Sequence, residues 1–299
     1  MRTCCCIFAL VYDALECTQS FFHYTHTHTH THHDCSILVP IVMEAEAKPF
    51  IEHMELKLIE NFFPKQTPFL AYDGMHHNAR VTVITFGKDN IYGTGVDNVG
   101  TVPSSLATFL AIQKFSAGPK EDDEGHPGPV DLILNAGTCG GFKRKGAGIG
   151  DVFLTVGVAN HDRRIPIPGF DTFGIGKLEV ATEIKPSPTE MASSLGYKTG
   201  ICTTGNSLDY VDKDSEIMLE NDASVKDMEA GAIAWIAKMN NIPYMGVKVV
   251  TDIVDGEHPT QDEFLANLAS AAKSLQDALP KVLDHIIDKH AQAPKRDEL

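Results

Sequence analysis

Four short stretches combine carboxylates, hydroxyls and small residues in patterns that suit acid–base chemistry. The sharpest is Val249-Val250-Thr251-Asp252, which places an aspartate where the most apolar run of the chain ends. Burial there raises a carboxyl pKa and lets the group act as a proton donor near neutrality. Met43-Glu44-Ala45-Glu46 sets two carboxylates at the start of a predicted helix, where they either complement the helix dipole or face a ligand. Lys226-Asp227-Met228-Glu229 precedes an apolar helical run. Residues two apart on a helix do not face each other, so Asp227 and Glu229 share one ligand only if this stretch is extended. Carboxylates there would accept well from vicinal hydroxyls. Asn135-Ala136-Gly137-Thr138-Cys139-Gly140-Gly141 reads as a glycine-rich turn at a strand end, admitting close backbone approach and offering the Thr138 hydroxyl. It matches neither the Walker nor the GxGxxG pattern, so no nucleotide cofactor follows from it.

Three further features are weaker. His161-Asp162-Arg163-Arg164 has the composition of an anion site but reads more simply as a solvated or interface loop. Lys248 interrupts an apolar strand and is expected to be a structural ion-pair partner. Lys88, after Gly87, is a cation that phosphate would need, yet no arginine cluster surrounds the first motif.

Hydrophobic periodicity supplies the elements that position these residues. Strands are predicted at 37–42, 131–135, 151–158, 201–204 and 244–250, and an antiparallel hairpin from 69–73 and 80–86 around Gly74-Met75-His76-His77-Asn78. Helices are predicted at 43–54, 101–115, 187–195, 229–240 and 261–289. Pro40 cannot donate to a sheet ladder, so the first strand is expected at an edge or bulged near its middle. The alternation implies a single α/β domain whose mixed, mostly parallel sheet is flanked by helices, with ligands at the carboxyl ends of strands.

The chain has 299 residues and a formal net charge of −15, a field that repels nucleic acid and anionic membrane surfaces. No apolar run reaches the roughly 20 residues that span a bilayer. Residues 1–35 hold five of the seven cysteines and an alternating Thr-His run, and are set apart from the fold. A metal-binding tract, a secretory signal and a translated dinucleotide repeat ahead of the true start are the alternatives. Residues 36–288 are taken as the domain and 289–299 as a charged tail; the polar stretch 118–129 is read as a surface insertion. The terminal Arg296-Asp297-Glu298-Leu299 resembles an ER-retrieval signal, which matters only behind a functional leader, so a cytoplasmic location is expected.

The motifs above, with Thr204-Gly205-Asn206-Ser207-Leu208 and His161-Asp162-Arg163-Arg164-Ile165-Pro166-Ile167-Pro168, occur in the order seen in the nucleoside phosphorylase superfamily. The chain resembles its nucleosidase branch, most of all the plant-type 5′-methylthioadenosine nucleosidases, over roughly 36–287. That resemblance implies hydrolysis of the N-glycosidic bond of methylthioadenosine, and in many members S-adenosylhomocysteine, with no metal or organic cofactor. It implies that Glu46 activates water and that Asp252 protonates adenine N7. Glu229 would accept from the sugar hydroxyls, Met228 would pack on the sugar, and Lys226 and Asp227 belong to the same stretch. Thr138 would stand near the substrate, Leu208 would line the base pocket, and the Asp209 backbone would contact adenine. Asn206 replaces the family's usual aspartate. A homodimer whose neighbour closes the thioalkyl end is likewise implied by resemblance. A phosphorylase of the same fold and a non-catalytic storage relative are the competing readings.

Overall fold

The computed structural model describes residues 35–117, 128–180 and 183–290. Nearly all of residues 1–35, most of the 118–129 stretch and the tail from 291 lie outside the described residues, and with them the expectations placed there.

Ten strands form one mixed sheet: β1 (Cys35–Pro40), β2 (Lys57–Leu58), β3 (Leu70–His76), β4 (Ala79–Thr85), β5 (Leu132–Gly141), β6 (Val152–Asn160), β7 (Leu178–Glu179), β8 (Lys198–Thr204), β9 (Ala223–Asp227) and β10 (Tyr244–Ile253). Seven helices accompany them: α1 (Glu44–His53), α2 (Thr101–Ser116), α3 (Phe170–Ile175), α4 (Pro188–Leu195), α5 (Asp212–Glu220), α6 (Ala230–Met239) and α7 (Thr260–His290). The spatial order is β10-β6-β8-β9-β5-β1-β4-β3-β2, and β10 also pairs with β5. That second pairing closes β5, β10, β6, β8 and β9 into a ring, from which β1, β4, β3 and β2 extend as an open sheet.

Alternation along β1 explains the layering. Ile37, Val39 and Ile41 join one apolar cluster with α1 and α7 residues such as Phe50, Leu275, Leu279 and Leu283, while Leu38 and Val42 join the other with Ala107, Phe115 and Ile233 of α2 and α6. Each fully buried Leu, Ile or Phe contributes about 1.5–3 kcal/mol of transfer free energy.

Two expectations are corrected. β1 is not an edge strand: it lies between β4 and β5, parallel to both. Its pairing with β5 runs through Ile37 and Leu38 and resumes only at Ile41, so the missing donor of Pro40 falls in the gap. The Asn135 side chain fills part of that gap by donating to the Pro40 carbonyl at 3.2 Å. The glycine-rich stretch is not a turn either. Residues 135–141 continue β5, because β10 runs beside them in parallel register as far as Gly141. The elements β9, α3 and α5 carry no clear periodicity, and sequence reading missed them.

Candidate active site

Glu46 lies in the first turn of α1, buried, with its carboxylate directed at β5. Its Oε1 accepts the Thr138 backbone N–H at 2.7 Å and the Thr138 hydroxyl at 2.6 Å, and its Oε2 accepts the Met43 N–H at 3.3 Å. Gly137 makes the seat: a Cβ there would stand 3.5 Å from Oε2. Burial raises the Glu46 pKa, and the Thr138 donors and the Lys248 charge oppose the rise. A buried carboxylate held by two short donors remains able to accept a proton from a third group.

Asp252 sits one strand away. The register of β10 against β5 slips between Val250 and Asp252, which brings Asp252 opposite Gly140. A Cβ on Gly140 would come within 2.6 Å of Val254 Cγ2 and 2.7 Å of Asp252 Oδ2, so a side chain there would displace its neighbours. The Thr251 hydroxyl donates to Asp252 Oδ1 at 2.8 Å. Burial raises the Asp252 pKa, while Thr251 and the Lys226 charge hold the rise back. Gly140 also pairs with Lys226 of β9, so Asp252, Gly140 and Lys226 form one row across three strands. Lys226 Nζ donates to the carbonyls of Ser207 and Leu208 at 2.8 and 2.9 Å, tying the loop after β8 to this row. Burial lowers the Lys226 pKa, against the pull of Asp252 and Asp227.

Asp227 ends β9 in extended conformation and Glu229 is the N-cap of α6, so the stretch meets the condition set by the spacing of its acids. Yet the two acids do different work. Asp227 Oδ2 pairs with Lys248 Nζ at 2.8 Å and accepts the Ala230 N–H at 2.9 Å, and its Oδ1 accepts the Thr204 hydroxyl at 2.7 Å. Both of its oxygens therefore serve the protein. Burial pushes the Asp227 pKa up, but Lys248 overrides this and holds it below the usual carboxylate range. Lys248 is thus the structural ion-pair partner expected of it. Glu229 has one protein donor, the Gly100 N–H at 2.8 Å on Oε1, and burial together with the Asp227 charge raises its pKa to about 7.

Loops make the rim. Leu208 and Asp209 are exposed and Met228 is half-buried. Asn206 Oδ1 accepts the N–H and hydroxyl of Thr101 at 2.9 and 2.8 Å, and the Asn206 N–H donates to Asp162 at 2.6 Å. An uncharged acceptor is enough to fasten the start of α2 beside the Gly100–Glu229 contact. Sequence reading saw in Asn206 only a departure and missed this tether, as it missed Gly100.

The loop expectation for 161–164 is corrected at its first residue. His161 is buried, its Nδ1 lies 3.1 Å from the Thr203 hydroxyl, and burial lowers its pKa to about 4. Arg164 pairs with Asp214, and Arg163 is exposed and lies over the Phe173 ring at 5.0 Å. Lys88 is taken up by Asp97 at 2.9 Å and Glu44 at 3.4 Å.

A closed strand ring thus brings Glu46 of α1 against Thr138 of β5 and Asp252 against Gly140 of the same strand. The family model described as the phosphorylase superfamily matches residues 36–284, and the chain belongs to that family. It is similar to the 5′-methylthioadenosine nucleosidase of Arabidopsis thaliana, 41% identical over 84% of this chain and 87% of the relative. It is also similar to the 5′-methylthioadenosine/S-adenosylhomocysteine nucleosidase of the same plant, 40% identical over 85% and 92%. The apo structure of the Arabidopsis methylthioadenosine nucleosidase superposes with a TM-score of 0.75, covering 84% of this chain and 96% of the other. Futalosine hydrolase of Helicobacter pylori, at 20% identity and a TM-score of 0.65 over 84% and 97%, shares the fold.

Proposed function

We propose that this enzyme hydrolyses the N-glycosidic bond of 5′-methylthioadenosine, releasing adenine and a thioribose. One observation carries the reading: the Thr138 hydroxyl holds Glu46, and Asp252 stands against the Cβ position of Gly140, two residues further along the same face of β5. Two residues of strand span about 7 Å, so a base-side acid and a water-side carboxylate stand beside one another on one face of β5. Asp252, its pKa raised by burial, protonates adenine N7 so that the base leaves neutral. Glu46, aligned by Thr138, takes the proton of the water that captures the oxocarbenium-like sugar. Glu229 accepts from the ribose hydroxyls and Met228 packs against the ring. Asp227 and Lys226 act behind these groups, the first by fixing the start of α6, the second by holding the backbone before Asp209 that faces adenine. Leu208 forms an apolar wall of the base pocket.

The alternative acceptor, phosphate, is disfavoured by the same geometry. Lys88 is already paired, and a carboxylate at the nucleophile position repels an anion. Adenine release from methylthioadenosine, measured with and without phosphate and with the sugar product identified, tests the proposal. Release is expected without phosphate and with free thioribose as product; a requirement for phosphate and a sugar phosphate product would refute it. Running S-adenosylhomocysteine in parallel defines how large a sulfur substituent is admitted.

A second copy of the chain belongs to this proposal, closing the thioalkyl end of the site. Its support is exposed apolar surface: Ile91, Tyr92 and Val102 are 83%, 86% and 77% exposed. A cytoplasmic location also belongs to it, in keeping with the buried thiols Cys139 and Cys202.

A further inference from the structure

The tip of the β3–β4 hairpin carries a second constellation. His76 Nε2 and His77 Nε2 lie 2.7 and 3.1 Å from the same Asp284 Oδ1 on α7, and the two imidazole rings stand 4.5 Å apart. One ligand atom from each of the three side chains falls within 4.8 Å of the other two, the sole group of its kind among the described residues. Backbone conformation brings this about. Successive side chains of a strand point to opposite faces, but His77 sits in the left-handed region at φ 53°, which turns its ring to the side of His76.

The cluster is remote from the nucleoside site. His76 pairs with Ala79, and Ala79 with Cys35, the first residue of β1, whereas the site gathers beyond the last residue of β1. The six residues of β1 between the two span about 20 Å.

Two imidazole nitrogens and one carboxylate oxygen suit a borderline divalent cation rather than the all-oxygen ions or the thiolate-seeking ones. Ligand atoms about 2.0–2.2 Å from a tetrahedral ion lie roughly 3.3 Å from one another. Outward shifts of a few tenths of an ångström from 2.7 and 3.1 Å, with the two imidazole nitrogens closing from within 4.8 Å of each other, would replace the hydrogen-bonded protons with an ion. The side chains of His77 and Asp284 are 61% and 43% exposed, which leaves a route from solvent and a fourth position for water. We propose that His76, His77 and Asp284 form a surface site for a zinc-type divalent cation that pins the β3–β4 hairpin to α7.

Thermal unfolding of the full chain, stripped with a chelator and then titrated with Zn²⁺, tests this. An ion that binds only the folded state raises Tm, here by about 5 °C at saturating Zn²⁺. His77→Asn is the informative variant, because asparagine tolerates the left-handed turn while deleting a ligand. It should unfold within about 1 °C of wild type without metal, show no Zn²⁺-dependent rise, and bind one ion fewer per chain in equilibrium dialysis. Asp284→Asn should weaken the rise as well. Ions taken up by the histidines of residues 23–33 are common to all these chains and cancel in the difference. No rise in wild type, or an equal rise and equal stoichiometry in His77→Asn, overturns the site.

Discussion

The floor and the rim of the nucleoside site are built on opposite principles. On the floor, Glu46, Lys226, Asp227, Glu229, Lys248 and Asp252 are all at most 9% exposed, and each makes a hydrogen bond or ion pair with another protein group. Strand register places Lys226, Asp227, Lys248 and Asp252, and the backbone N–H groups of Thr138 and Gly100 hold Glu46 and Glu229. The rim presents Leu208, Tyr210, Val211, Phe170 and Phe173 to solvent on loops and a short helix. On the proposed function, the buried floor carries the chemistry and the exposed rim the fit of the substrate. The floor also divides its own labour: Asp227 and Glu229, two residues apart, are pushed to opposite protonation tendencies because Lys248 pairs with the first.

If that contrast is right, floor substitutions change rate or stability and rim substitutions change binding. Asp252→Asn should lower kcat by about 10²–10⁴-fold while KM moves only a few-fold; steady-state kinetics with methylthioadenosine would read both, and unchanged turnover would remove Asp252 from the chemistry. Lys248→Met strands the Asp227 charge in the core and should cost about 3–5 kcal/mol in a urea or guanidinium titration. A smaller effect tests the titration of the floor. The folded chain holds the Glu229 pKa at about 7 against an ordinary 4.5, so folding takes up a proton between those values. The stability this contributes is full below about pH 4.5 and disappears as pH rises through about 7. Glu229→Gln should therefore match wild type near pH 4 and exceed it by on the order of 2–3 kcal/mol at pH 8. The mildest change is Leu208→Ala, expected to raise KM a few-fold and leave kcat, with stability within about 0.5 kcal/mol of wild type. A large kcat loss there would erase the distinction between floor and rim.

Much of the floor was legible in the sequence because it is covalently local. Asp252 lies where an apolar run stops and is singled out on that ground, whereas Glu46 is separated from Glu44 only by the resemblance to the family. What was hidden depends on partners far along the chain. The interior place of β1 could not be inferred from Pro40, because relief comes from a gap in one ladder and from Asn135, 95 residues away. The glycines of 135–141 look like a turn until β10 is laid beside them. β9 escaped because Lys226 and Asp227 break its apolar pattern, and both are buried only because Lys248 and neighbouring carbonyls receive them. Gly100 and Asn206 carry no local mark of their tethering roles, since their partners Glu229 and Thr101 are more than 100 residues distant.

Gly140 has the last word on how this catalyst can vary. A first side-chain carbon at 140 would stand 2.6 Å from Val254 Cγ2 and 2.7 Å from Asp252 Oδ2. A methyl group there would push the proposed proton donor from its place, though every functional group stayed in the chain. Mutational libraries that protect only the reactive residues and randomise the apparently inert ones should find this position as intolerant as Asp252 itself.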